Sequence, residues 1–174
     1  MSFAYSQMFK DALASLKTEG RYRVFTDIVR KQGSFPNADH HVEAGAKRIT
    51  VWCSNDYLGM AQHPKVLTAM HKTLDVAGAG SGGTRNISGT THLHVELERE
   101  IADLHRKESA LLFTSGFVSN DATLSTLSKL LPRCIFFSDE MNHASMIEGM
   151  RRSGAEKIIY RHSDLEHLEE LLNI

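Results

Sequence analysis

Apolar residues recur at helical spacing in six stretches of this chain, and those repeats place its helices. Phe9, Leu13 and Leu16 mark an amphipathic helix from Ser6 to Glu19, with Gly20 behind it to supply a left-handed stop. From Pro64, which suits a first helical position, Val66, Leu67, Met70, Leu74 and Ala77 keep one face apolar as far as Gly78. Leu93, Leu97, Ile101 and Leu104 predict a third helix within His92 to His105. Leu124, Leu127, Leu130 and Leu131 predict a long fourth, broken by Pro132, and Met146, Ile147 and Met150 a fifth. Leu165, Leu168, Leu171 and Leu172 predict a sixth, which Ser163-Asp164 can cap.

Between the helices lie short runs of strand formers. His40 to Ala46 and Ile49-Thr50-Val51-Trp52 predict a small hairpin, after a mixed segment through Val29 and a Gly33 to Pro36 turn. Ala110-Leu111-Leu112-Phe113, Cys134 to Phe137 and Ile158-Ile159-Tyr160 predict three strands, each leading into a helix. Alternation of that kind is the signature of an α/β fold with a mainly parallel, helix-flanked sheet. The expected division is an N-terminal helix and hairpin segment, residues 1–60, and the first part of an α/β domain, residues 61–174. Open α/β sheets usually carry about five or six strands, so a chain with three is expected to be cut off at Ile174.

Composition adds exclusions. Twenty Lys and Arg against 21 Asp and Glu leave a net charge of -1, which gives no electrostatic case for nucleic acid or a membrane surface and favours a small-molecule ligand. No apolar run reaches membrane-spanning length, and Lys10, Asp11 and Glu19 interrupt any signal-like core, so a cytoplasmic protein is expected. Cys53 and Cys134 sit in separate apolar runs and read as reduced, buried thiols. His92 and His94 point to different faces of one helix, so no metal site is expected.

Candidate chemistry concentrates in Ser138 to Gly149, where an acid pair, Asn142, His143 and Ser145 follow an apolar strand. Ligands of open α/β sheets bind beyond the carboxyl ends of such strands. A histidine that caps a helix would occupy the same position. Thr114-Ser115-Gly116-Phe117 lies between a predicted strand and a helix, an arrangement that aims backbone N–H groups at one spot and suits a phosphate. Arg21-Tyr22-Arg23 can hold an anion or form a solvated basic turn, and Asn55-Asp56 can serve a ligand or bond their own backbone. Gly78, Gly80 and Gly83 spell G-x-G-x-x-G, but a helix precedes them and the acid at the right distance, Asp103, lies inside a helical pattern, so a dinucleotide fingerprint fails on context.

Taken together, Asn55-Asp56-Tyr57-Leu58-Gly59, the glycine-dense loop through Thr84-Arg85-Asn86-Ile87-Ser88, Thr114 to Phe117 and Asn142-His143-Ala144-Ser145 resemble the α-oxoamine synthases, which are fold-type I pyridoxal-phosphate acyltransferases. The resemblance covers essentially all 174 residues. Gly20 to Arg23 and Thr84 to Ser88 resemble the branch that condenses glycine with succinyl-CoA into 5-aminolevulinate, CoA and carbon dioxide, at the start of haem biosynthesis.

This resemblance implies pyridoxal 5'-phosphate as cofactor, with His143 stacked on its ring and the amides of Gly116 and Phe117 at its phosphate. It also implies that Asn55 holds the glycine carboxylate, that Arg23, Thr84 and Asn86 lie near the succinyl carboxylate, that Ile87 lines the acyl pocket, and that Ser138 and Lys157 contact succinyl-CoA. A homodimer with shared active sites is implied for the full-length enzyme. The family's Schiff-base lysine lies in a Thr-x-x-Lys-Ala motif, which none of the nine lysines here occupies, so the chain alone is expected to be inactive. Two other readings stay open: a family member using a different acyl-CoA, and a non-catalytic fragment or interaction module.

Overall fold

The computed structural model describes residues 4–173, so Ile174, where the chain was expected to be cut off, lies outside them. Two compact units divide after Gly80.

In the first unit, helix α1 (Tyr5–Thr18) matches its apolar repeat, and Gly20 follows at φ 68°. The predicted hairpin forms from β2 (Asn37–Val42) and β3 (Gly45–Thr50), antiparallel from Asn37↔Thr50 to Val42↔Gly45. A third strand, β1 (Ile28–Arg30), joins the outer edge of β2 and was absent from the expected elements. Three residues of mixed polarity are too few for alternation to show. Among the described residues of this unit, Ala38 on β2, 2% exposed, is the buried apolar one. Helix α2 (Pro64–Ala77) begins at its proline, and His63 Nδ1 accepts the Lys65 N–H at 3.2 Å ahead of it. Helix α2 lies in the first unit, which divides from the second after Gly80; the expected division lay at residue 60.

The second unit contains α3 (His92–Leu104), α4 (Gly116–Leu130), β4 (Ile135–Asp139), α5 (Ala144–Ser153), β5 (Glu156–Tyr160) and α6 (Leu165–Leu172). Strands β4 and β5 pair in parallel from Ile135↔Glu156 to Asp139↔Tyr160, with α5 as the crossover. Parallel neighbours require such a crossover, which is why alternating strand and helix patterns in the sequence had predicted this class. Helices α4 and α5 pack at close range because Gly149 faces α4. A methyl group added there would lie 3.0 Å from both the Asn120 carbonyl oxygen and Asp121 Cα.

Two expectations need correction. Ser109 to Thr114 joins no ladder among the described residues. Its central peptide groups are taken by side chains instead: the Leu112 N–H donates to Glu98 Oε1 at 2.7 Å and the Leu112 carbonyl accepts from Arg85 at 3.5 Å. The thiols are not both buried either. Cys53 is exposed, because the chain leaves the β3 ladder at Thr50, and Cys134 is half-buried just before β4.

Candidate active site

The carboxyl end of β4 leads directly into the stretch that held most of the candidate chemistry. Asp139 closes the strand by accepting from the Met141 N–H at 2.8 Å, the Ser163 N–H at 2.9 Å and His162 Nδ1 at 2.9 Å. These donors pull its carboxyl well below the ordinary carboxylate range, to about 2, with the Ser163 N–H first among them. The chain then turns through Asn142, whose side-chain amide donates to Ser138 Oγ at 2.9 Å.

His143 does cap a helix. Its Nδ1 accepts the Ser145 N–H at 3.1 Å at the start of α5. That bond uses one ring nitrogen of an exposed residue, so the capping role and a stacking role are compatible. Phe117 meets it edge-on, with ring centroids 6.5 Å apart and planes at 72°. Phe117 and Gly116 form the first turn of α4, where Ser115 Oγ accepts the Val118 N–H at 3.2 Å. The first N–H groups of a helix have no partner within it, and the helix dipole adds positive character there. Gly116, Phe117 and His143 therefore come together as a flat, aromatic-sided corner beside an anion-suited helix start.

The glycine-dense loop closes on itself. The N–H groups of Ile87, Ser88 and Gly89 all donate to the Thr84 carbonyl, at 3.1, 3.2 and 2.8 Å. Gly89 is required by close approach, since a Cβ there would sit 1.8 Å from the Gly83 carbonyl oxygen. Arg85 anchors this turn by a bidentate ion pair with Glu98 of α3. Arg85 and the Leu112 N–H hold the Glu98 carboxyl down at about 2. The anchored turn presents Thr84, whose hydroxyl donates to Asn86 Oδ1 at 2.9 Å, and Ile87, which is 82% exposed.

The remaining candidates are placed separately. Ser138 is 3% exposed, with its hydroxyl between Asn142 and the Asp139 carbonyl, so it orients its own turn rather than facing open space. Lys157 is exposed on β5, opposite Phe136 and two residues short of the Ser138↔Ile159 pair. Arg23 and Asn55 belong to the first unit, both exposed. Asn55 lines an open cavity of about 650 Å³ with Arg30, Trp52 and Tyr57. No group of three or more potential metal ligands occurs among the described residues, and no helix among them is long and apolar enough to cross a membrane.

Sequence reasoning missed Asn120 and the role of Ser145. The Asn120 amide donates to Ser145 Oγ at 3.0 Å, and that hydroxyl lies 2.7 Å from His143 Nδ1. A signal was present: Ser145 and Gly149, four apart on one helix face, are small residues that admit a neighbouring helix.

A parallel α/β unit with a helix start and an exposed, capping imidazole at its strand ends suits a phosphate-bearing ligand. The model of the class I and II aminotransferase family matches residues 47–174, and the chain belongs to that family. Among curated relatives, 5-aminolevulinate synthase 1 of Cereibacter sphaeroides is 60% identical over 97% of this chain and 42% of its own length. The erythroid-specific mitochondrial 5-aminolevulinate synthase of Homo sapiens is 55% identical over 98% of this chain and 29% of its own. The chain thus spans about two fifths or less of these relatives. Serine palmitoyltransferase from S. paucimobilis, solved with a bound PLP–myriocin adduct, superposes with a TM-score of 0.78 at 26% identity, covering 99% of this chain and 44% of that one. The 8-amino-7-oxononanoate synthase of Francisella tularensis gives 0.57 at 30% identity, covering 69% and 33%. The expected fold class, the fold-type I pyridoxal-phosphate transferase, is the one shared with these structures.

Proposed function

We propose that this chain supplies the cofactor-facing part of a pyridoxal-phosphate enzyme that condenses glycine with succinyl-CoA to give 5-aminolevulinate, CoA and carbon dioxide. One observation carries the reading: the Gly116–Phe117–His143 corner occurs in a chain 58% identical to a 5-aminolevulinate synthase over 97% of its length. The corner fits the cofactor in two respects, a helix start for the phosphate and an open imidazole face for a flat ring.

Bound there, pyridoxal phosphate supplies an electron sink that makes the α-carbon of an amino acid acidic. The chain's own groups bind and orient. The Gly116 and Phe117 N–H groups would hold the phosphate, and the His143 ring would stack on the cofactor. In the second unit Thr84 and Asn86 are assigned to the distal carboxylate of the acyl donor; in the first, the family resemblance assigns Asn55 to the glycine carboxylate and Arg23 to an acyl-donor carboxylate, for which an arginine fork has the right geometry. Ile87 contacts its methylenes, and Lys157 meets the anionic CoA portion. The active enzyme is a homodimer.

The test is a fusion of these 174 residues to the remaining three fifths of the Cereibacter sphaeroides synthase. Given pyridoxal phosphate, glycine and succinyl-CoA, the fusion is expected to release aminolevulinate and the chain alone none, since none of its lysines has the motif that holds the cofactor covalently. A folded fusion that prefers acetyl or pimeloyl thioesters would overturn the substrate assignment.

A further inference from the structure

Building on the reading of His143 as the ring-stacking residue, we propose that Asn120 and Ser145 are positioning residues that fix its imidazole with the proton on Nε2. Two N–H donors bracket the arrangement. The Asn120 amide donates into Ser145 Oγ at 3.0 Å, and the Ser145 backbone N–H donates into His143 Nδ1 at 3.1 Å. A ring nitrogen that accepts an N–H carries no proton of its own. The Ser145 hydroxyl hydrogen is then directed along the 2.7 Å line to Nδ1, and its lone pairs face Asn120.

Ser145 is 0% exposed, so its hydroxyl depends on these two side chains for its hydrogen bonds. Gly149, one turn along α5, sets the close helix approach that brings Asn120 into reach. With two hydrogen bonds on one nitrogen and the Phe117 ring at its side, the imidazole plane is fixed before any ligand arrives. The remaining Nε2–H is left as the donor available to whatever lies against the ring.

Histidine-selective ¹⁵N spectra of the cofactor-free protein test this independently of stacking. In the wild type, Nδ1 of His143 is expected at the shift of an unprotonated ring nitrogen and Nε2 at that of an N–H. Asn120→Asp turns the outer donor into an acceptor that captures the serine hydroxyl hydrogen, and Ser145→Ala removes it. Asn120→Asp is expected to move the Nδ1 resonance toward the tautomer-averaged position, because a hydroxyl turned to the carboxylate leaves Oγ able to accept from an Nδ1–H, whereas Ser145→Ala, which keeps the backbone donor, is expected to move it less. Nδ1 observed as an N–H in the wild type, or unchanged shifts in the variants, overturns the proposal. Asn120 is exposed, so the aspartate variant decides the matter even where Ser145→Ala fails to fold. Cofactor affinity of His143→Ala is measured separately: full retention there removes the stacking reading and leaves the tautomer result standing.

Discussion

Helix α5 buries Ser145, Gly149 and Met150, whereas α2, with 14 residues to its 10, buries none. Both were legible as helices from the same apolar spacing, so periodicity predicted their conformation but not what each face would touch. The small residues of α5 let the α4 backbone come close, and part-buried hydrogen bonds link the site groups there. On α2, Val66, Met70 and Leu74 remain exposed. Burial in these two helices therefore follows the small and polar residues that close a helix pair, and the larger apolar stripe of α2 stays exposed.

The sharpest way to break that contrast is Gly149→Val. Its side chain would press on the backbone of Asn120 and Asp121, atoms that cannot swing aside as a side chain can. Overpacking of this kind costs about 1–3 kcal/mol, read as a lower denaturant midpoint, and the Phe117–His143 contact should loosen with it. A loss under roughly 0.5 kcal/mol, the range of ordinary surface changes, would show that the helices are not closely apposed. Ser115→Ala comes next. Losing the cap on the Val118 N–H should cost about 1 kcal/mol and weaken phosphate binding at the same turn. Helix α1, which begins at Ala4 without a side-chain cap bond, has no such contribution to lose.

Acid sharpens the comparison further, because the two carboxyls held down to about 2, Glu98 and Asp139, both lie in the second unit. In the unfolded chain they protonate near their ordinary values of 4.5 and 3.8, while the folded unit keeps them ionised. The unfolded state therefore takes up protons first as pH falls. The stability they contribute is complete above that range and is lost as the pH descends toward 2. Urea titrations of wild type and Asp139→Asn between neutral pH and pH 2 should give the variant a lower starting stability and a shallower acid loss. Equal slopes would remove Asp139 from the account.

Much of the fold was readable because helices α1 to α6 each repeat apolar residues over several turns. Strand β1 was not, being three residues long. The Ser109–Thr114 run was read as a ladder strand because local pattern cannot see Glu98 and Arg85, 14 and 27 residues before Leu112, taking its backbone groups. At the site, His143 and the Ser115–Phe117 turn were readable by residue type and place. Asn120 was not, since its partner lies 25 residues away on another helix. Polar residues on an amphipathic helix look solvated until the neighbouring helix is placed.

The smallest expected effect tests the other side of the comparison. Met70 lies on the predicted apolar stripe of α2 yet is 64% exposed. Truncating a buried methionine to alanine costs about 2–5 kcal/mol, because transfer free energy and packing are both lost. At an exposed position neither term is large, and alanine is the stronger helix former by a few tenths. Met70→Ala in this chain is therefore expected within about 0.5 kcal/mol of wild type. A loss above roughly 2 kcal/mol would show that the α2 stripe is buried in solution. The contrast with α5 would then reduce to one of residue size, small side chains sealing one helix pair and large ones another.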